Sequence, residues 1–101
     1  MIGAIAGDMI GSPYEARPIK HKDFELRVAS FTDDTVLTVA VAKAILDGDD
    51  YADAIKRFAQ EYHSLPYGGS FRKWMWDWEN KPYNSFGNGS AMRVSPVGFA
   101  F

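Results

Sequence analysis

Every stretch of this 101-residue chain that carries an apolar period reads as helix, and three observations support that. Residues 36, 37, 39–42 and 44–46 are apolar, so a helix over Asp34 to Leu46 is greasy on almost every side and is expected at the centre of the fold. Tyr51, Ala54, Ile55, Phe58, Ala59 and Tyr62 recur at helical spacing, the pattern of an amphipathic outer helix. Ile2 to Ile10 is small and apolar, broken only by Asp8, up to a stop at Gly11-Ser12-Pro13.

Taken in order, the first of these segments predicts a short, tightly packed helix. Tyr14 to Ser30 then turns mixed, with Pro18 and the charged run Lys20-His21-Lys22-Asp23, and reads as loop. Asp47-Gly48-Asp49-Asp50 ends the central helix with a glycine and starts the next. Pro66-Tyr67-Gly68-Gly69 is a turn, and Ser70 is the expected cap of a short helix holding Phe71, Trp74, Met75 and Trp78. Trp74, Trp76 and Trp78 alternate, so only Trp74 and Trp78 share a helix face, and core packing is their expected role. Asn80 to Asn88 reads as loop, and Gly87-Asn88-Gly89-Ser90 leads into a further helix start at Ala91-Met92-Arg93-Val94.

A chain of this length folds as one domain at most and buries only about 60–65% of its unfolded surface. Against that, 47% of the residues are hydrophobic and 15% aromatic, a rich load that reads as part of something larger. The run Pro96-Val97-Gly98-Phe99-Ala100-Phe101 is apolar to its last residue and presents a sticky helix start. A net charge of −2 gives no electrostatic case for binding nucleic acid or an anionic membrane. The absence of cysteine excludes disulfides and thiolate metal sites. The N-terminus lacks a basic region and reaches an acid at Asp8, so it does not read as a signal peptide, and no apolar run approaches the roughly 20 residues needed to span a bilayer. A cytoplasmic protein is expected.

The chemistry concentrates at Phe31-Thr32-Asp33-Asp34-Thr35, where two adjacent carboxylates and flanking hydroxyls meet the start of the apolar helix. A helix start stabilises one negative charge, but two acids side by side repel each other, which points to a cation between them. Hard oxygen donors suit Mg²⁺ or Mn²⁺ rather than zinc. The plainer alternative makes Thr32 or Asp33 a cap and Asp34 a first-turn acid. Asp8 inside an apolar helix is either paired or functional, and Glu15 is either a solvated loop residue or a carboxylate working beside a divalent site. Ser85-Phe86-Gly87-Asn88-Gly89-Ser90 is the kind of backbone that offers successive amides to a phosphate, although Asn-Gly also marks ordinary turns. Tyr67-Gly68-Gly69-Ser70 sets an aromatic beside bare backbone, suited to a base or ribose or simply to a turn. Arg93 pairs with a buried acid or with a phosphate, and the sequence does not decide which.

Together, Gly7-Asp8-Met9-Ile10-Gly11-Ser12-Pro13-Tyr14-Glu15, Phe31-Thr32-Asp33-Asp34-Thr35 and Gly87-Asn88-Gly89-Ser90-Ala91-Met92-Arg93-Val94-Ser95-Pro96-Val97-Gly98 resemble, in this order, the ADP-ribosylglycohydrolase family. The resemblance implies an all-α orthogonal helical bundle, of which residues 1–101 form the N-terminal helices, with the C-terminal part absent. It implies a binuclear Mg²⁺ centre, Mn²⁺ being the alternative ion, and hydrolysis of the bond between ADP-ribose and a protein side chain or related acceptor. By motif position Thr32, Asp33 and Asp34 become metal ligands, Glu15 the acid near the scissile ribose, and Asp33 and Asp34 part of the catalytic set. Gly87, Asn88, Gly89 and Ser90, with Ser85 and Met92 nearby, become the diphosphate and ribose loop, and Tyr67, Gly68 and Gly69 line the ADP-ribose pocket.

The family completes its metal site with a distal Asp-x-Asp followed by Ser or Thr, a motif with no counterpart in these 101 residues. Asp47, Asp49 and Asp50 come too early in the chain. Alternative expectations are therefore a module that grips ADP-ribose without cleaving it, a metal-free glycosidase built on Glu15 and Asp34, and a fragment that self-associates through its exposed apolar face. Neither nucleic acid nor a membrane is an expected partner.

Overall fold

The structure, a computed structural model, describes residues 2–14, 30–85 and 87–101. Among them every regular element is helical: α1 (Ile2–Gly11), a single 3-10 turn at Ser12–Tyr14, α2 (Asp33–Asp47), α3 (Tyr51–Glu61), α4 (Gly69–Trp76), α5 (Gly89–Met92) and α6 (Ser95–Ala100).

Helix α2 is the central element and packs against α1, α3, α5 and α6. Thr32 caps it from extended backbone, its hydroxyl accepting from the Asp34 amide at 3.3 Å. At the other end Gly48 takes φ +69°, a left-handed conformation that costs glycine nothing, and its amide returns to the Ala44 carbonyl. Val36, Leu37, Thr38, Ala40, Val41 and Ala44 are buried, but Leu46 is 82% exposed, so the helix is not covered on every side. Asp50 starts α3 by accepting from the Asp53 amide at 3.1 Å, and Ala54, Ile55 and Ala59 turn inward as the amphipathic spacing requires. The core joins Leu37, Ala40 and Val41 of α2 to Ile55 and Ala59 of α3 and to Tyr67, Phe71 and Met75.

Three expectations are corrected. Helix α1 is not tightly packed: only Asp8 is buried and Ile2 is 85% exposed, because its contact with α2 runs through one polar side chain rather than an apolar face. Gly68, not Ser70, caps α4, and Ser70 lies within the first turn. Asp77 takes extended backbone and ends α4, which leaves Trp78 outside the helix and 88% exposed while Trp74 alone packs against the core.

Candidate active site

The acid-bearing helix start is built from two segments distant in sequence. Asp8 on α1 accepts from the Thr32 amide at 2.7 Å, the Thr35 amide at 3.2 Å and the Thr35 hydroxyl at 2.7 Å, all on Oδ2, while its Oδ1 accepts from the Thr32 hydroxyl. A carboxylate from another helix thus satisfies amides that a helix start leaves open. Burial pushes the Asp8 carboxyl up, but the hydrogen bonds from Thr32 and Thr35 outweigh it and hold the group below the ordinary carboxylate value. Asp8 is therefore paired, and its partners are the two hydroxyls that flank the acid pair.

Asp33 and Asp34 occupy the first turn of α2, both half-buried. Burial raises the Asp34 carboxyl, the negative charge of Asp8 raises it further, and Arg93 opposes both. Burial lowers the Arg93 guanidinium, against the pull of Tyr83, Asp33 and Asp34. Arg93 thus lies in the field of the acid pair. Its Nε donates to the Gly89 carbonyl at 2.6 Å and its guanidinium lies 5.4 Å from the Phe71 ring centre.

Among the described residues no three histidine, cysteine or carboxylate side chains converge on a metal position. The donor set at the α2 start still fits a hard cation. It is all oxygen, it concentrates negative charge, and the Thr32 hydroxyl, which donates to Asp8 and accepts from Asp34, keeps one lone pair. Two carboxylates and a hydroxyl are fewer than the six ligands Mg²⁺ takes.

Beside Arg93 opens a cavity of about 510 Å³, within the size range of small-molecule sites. Ser85, Gly87, Gly89 and Ser90 are among the residues that line it. The Ser85 hydroxyl accepts from the Gly87 amide at 3.0 Å, and a Cβ at Gly89 would collide with the Arg93 guanidinium. Asn88 and Met92 are not among the lining residues. The Asn88 carbonyl instead accepts from the Ala91 and Met92 amides, and Met92 packs against the core with its carbonyl 3.3 Å from the Thr38 hydroxyl.

Tyr67, Gly68 and Gly69 are not brought to this cavity either. Tyr67 is buried, stacks on Phe71 at 5.3 Å between ring centres and donates its hydroxyl to the Tyr62 carbonyl at 2.9 Å. Burial, with Asp33 adding to it and Arg72 opposing, pushes that phenol up to about 12. Sequence reasoning missed Tyr51 and Tyr83, which face the cavity from α3 and from the segment before Ser85. Neither carries a local signal, since only folding sets them together. Glu15 lies outside the described residues.

The helical chain thus sets a half-buried acid pair at the start of its central helix, within the field of an arginine that lines a glycine- and serine-bearing cavity. The sequence model of the ADP-ribosylglycohydrolase family matches residues 1–101, and the chain belongs to that family. It is 30% identical over 138 aligned positions to the ADP-ribosylhydrolase ARH3 of Bos taurus, an alignment covering 100% of this chain and 38% of that protein. It is 29% identical to the ARH3 of Homo sapiens, with the same coverage, and 29% identical to an uncharacterised protein of Archaeoglobus fulgidus, covering 100% of this chain and 41% of that one. The chain thus spans well under half the length of these relatives. No solved structure matches it. Among the described residues no helix is long and apolar enough to cross a membrane.

Proposed function

We propose that this chain forms the N-terminal part of an enzyme that hydrolyses the glycosidic bond between ADP-ribose and a protein side chain or related acceptor. The observation that carries the reading is the match of the family model to the whole chain. Relatives whose matching part covers the whole of this chain are named ADP-ribosylhydrolases, which supports the same class of substrate here.

In this reading Thr32, Asp33 and Asp34 hold Mg²⁺, with Mn²⁺ as the substitute. When bound, such ions supply electrophilic polarisation of ribose hydroxyls and of water. Asp8 fixes the rotamers of Thr32 and Thr35 and so presents the acid pair. The Ser85, Gly87, Gly89 and Ser90 wall takes the diphosphate and ribose, and Arg93 adds positive charge beside it. Glu15, as the carboxylate near the scissile ribose, stabilises the oxocarbenium-like transition state.

Calorimetric titration of the chain with ADP-ribose, with Mg²⁺ and then with EDTA, tests the proposal. Binding that weakens in EDTA is expected, and Asp34→Ala is expected to abolish that metal dependence. Binding that ignores EDTA removes the metal assignment and leaves a metal-free ADP-ribose module. No binding under either condition rejects a preformed site in these residues.

A further inference from the structure

Lys56 is a buried cation that the proposed chemistry does not use. It is 7% exposed, and among the described residues it has no carboxylate partner. Its ammonium instead donates to two backbone carbonyls just beyond α4, Asp77 and Glu79, each at 2.6 Å, and lies 4.6 Å from the centre of the Trp74 ring. Burying a charge is costly, and two charge-assisted hydrogen bonds with a cation–π contact offset it only while the 77–79 backbone keeps this position.

The surrounding contacts repeat the same purpose. Asp53, Lys56 and Gln60 are spaced three and four residues apart along α3 and so share one face. Asp53 accepts from the Asn80 amide group at 2.6 Å, and Gln60 donates to the Met75 carbonyl at 2.7 Å. From the other side the Trp74 indole donates to the Lys81 carbonyl at 2.9 Å. Residues 77–81, beyond the end of α4, are thereby held by side chains of α3 and α4 rather than by any helix or strand of their own.

What this segment carries is the cavity wall. Pro82, with its fixed φ, follows the last anchored carbonyl, and Tyr83 and Ser85 of the cavity lining come next. The Trp74 and Tyr83 ring centres are 6.0 Å apart at a tilt of 44°, so a run of contacts leads from the Lys56 ammonium through the Trp74 indole to the Tyr83 phenol at the cavity. We infer that Lys56 is a positioning residue: its clamp on the 77–79 carbonyls and the Trp74 ring sets where Tyr83 and Ser85 stand, and thereby the ligand affinity of the cavity. The ligand is taken as ADP-ribose, so this part rests on the function proposed above.

Lys56→Met tests the clamp, because it keeps the apolar stem and removes the donors. The measurements are amide hydrogen exchange across 77–85, ADP-ribose affinity by calorimetry and thermal stability. Val36→Ala serves as a destabilised control whose lesion lies in the core away from the cavity, and Lys56→Arg as the conservative variant. The expected result is faster exchange in 77–85 and affinity lower by about tenfold or more in Lys56→Met, the size expected for lost charge-assisted bonds. Lys56→Arg should recover both in part, and Val36→Ala should change neither.

Faster exchange with unchanged affinity would overturn the positioning role and leave Lys56 a structural residue. Unchanged exchange would overturn the clamp itself. Should the unsubstituted chain fail to bind ADP-ribose, the functional reading falls, and the exchange measurement still decides the clamp. If Lys56→Met does not fold, Asn80→Ala, which removes only the outer tie to Asp53, should give the same changes in smaller measure, and its failure to do so would overturn the inference.

Discussion

At Asp8 one side chain does the work of an interface. Four hydrogen bonds converge on it from Thr32 and Thr35, and it is the one buried residue of α1. Asp8→Asn replaces one acceptor oxygen with a donor and leaves open amides facing it, so a loss of about 1–3 kcal/mol is expected. Thermal denaturation should show it as a lowered Tm, with faster exchange in α1. The pH dependence follows from the depressed carboxyl: the stabilisation is complete above the ordinary value of 3.8 and is lost as pH falls through the lower folded-state value. The Tm gap between Asp8→Asn and the unsubstituted chain should therefore stay constant from neutral pH down to about 4–5 and close in stronger acid; a gap that persists in strong acid would mean that the hydroxyl contacts, not the charge, hold α1. Gly89 offers the complementary case. A Cβ there meets the end of the flexible Arg93 side chain, so Gly89→Ala should cost little stability while displacing the guanidinium and its bond to the Gly89 carbonyl. If Arg93 serves the cavity, ADP-ribose affinity should fall by about tenfold; unchanged affinity would confine Arg93 to a structural role.

The helices differ in how openly their residues announce them. Both ends of α2 and the start of α3 follow from side-chain chemistry local to the chain, Thr32, Gly48 and Asp50 each acting where the sequence sets them. Gly48→Ala should accordingly cost about 1 kcal/mol, a drop of roughly 4–8 °C in Tm for a domain of this size, because alanine pays to hold φ +69°. A smaller shift would mean that the α2–α3 corner relaxes. The end of α4 was not legible in the same way, since Trp76-Asp77-Trp78 contains no breaker, and the extended Asp77 that ends the helix lends its carbonyl, as does Glu79, to Lys56 of α3. The site divides along the same line. Thr32, Asp33 and Asp34 are consecutive, and Ser85, Gly87, Gly89 and Ser90 are nearly so, which let local spacing single out both groups as candidates. The tie from Asp8 to Thr32 and Thr35 joins residues more than 20 apart, and the cavity wall needs Tyr51 and Tyr83 from different elements, so neither leaves a trace in local spacing. Tyr67, an aromatic beside two glycines, reads from sequence as a ligand platform or a plain turn, and in the fold its ring lies on Phe71 while its hydroxyl donates to the Tyr62 carbonyl.

Among the described residues the centre is buried and one end is apolar and exposed. Its radius of gyration of 14.3 Å exceeds the roughly 13 Å of a compact domain of this length. Ala42, Ile45 and Leu46 of α2 and Pro96, Phe99 and Ala100 of α6 line a groove with no charged residue, and Leu46, Phe99 and Phe101 are 82%, 80% and 90% exposed. An uncharged apolar surface is complementary to itself, so a second copy of this chain can cover it in a two-fold arrangement without leaving a buried charge unpaired. We therefore expect the chain to self-associate through the α2–α6 face, seen as a sedimentation coefficient that rises with concentration. Phe99→Glu should return it to a monomer, since two like charges would meet across the axis in an apolar setting. Its Tm at low concentration should match that of the unsubstituted chain, because an exposed Phe99 contributes little to the fold of one copy. A sedimentation coefficient independent of concentration would mean that the groove stays open in solution. Association that survives Phe99→Glu would move the contact to another surface, the exposed apolar residues of α1 being the next to test.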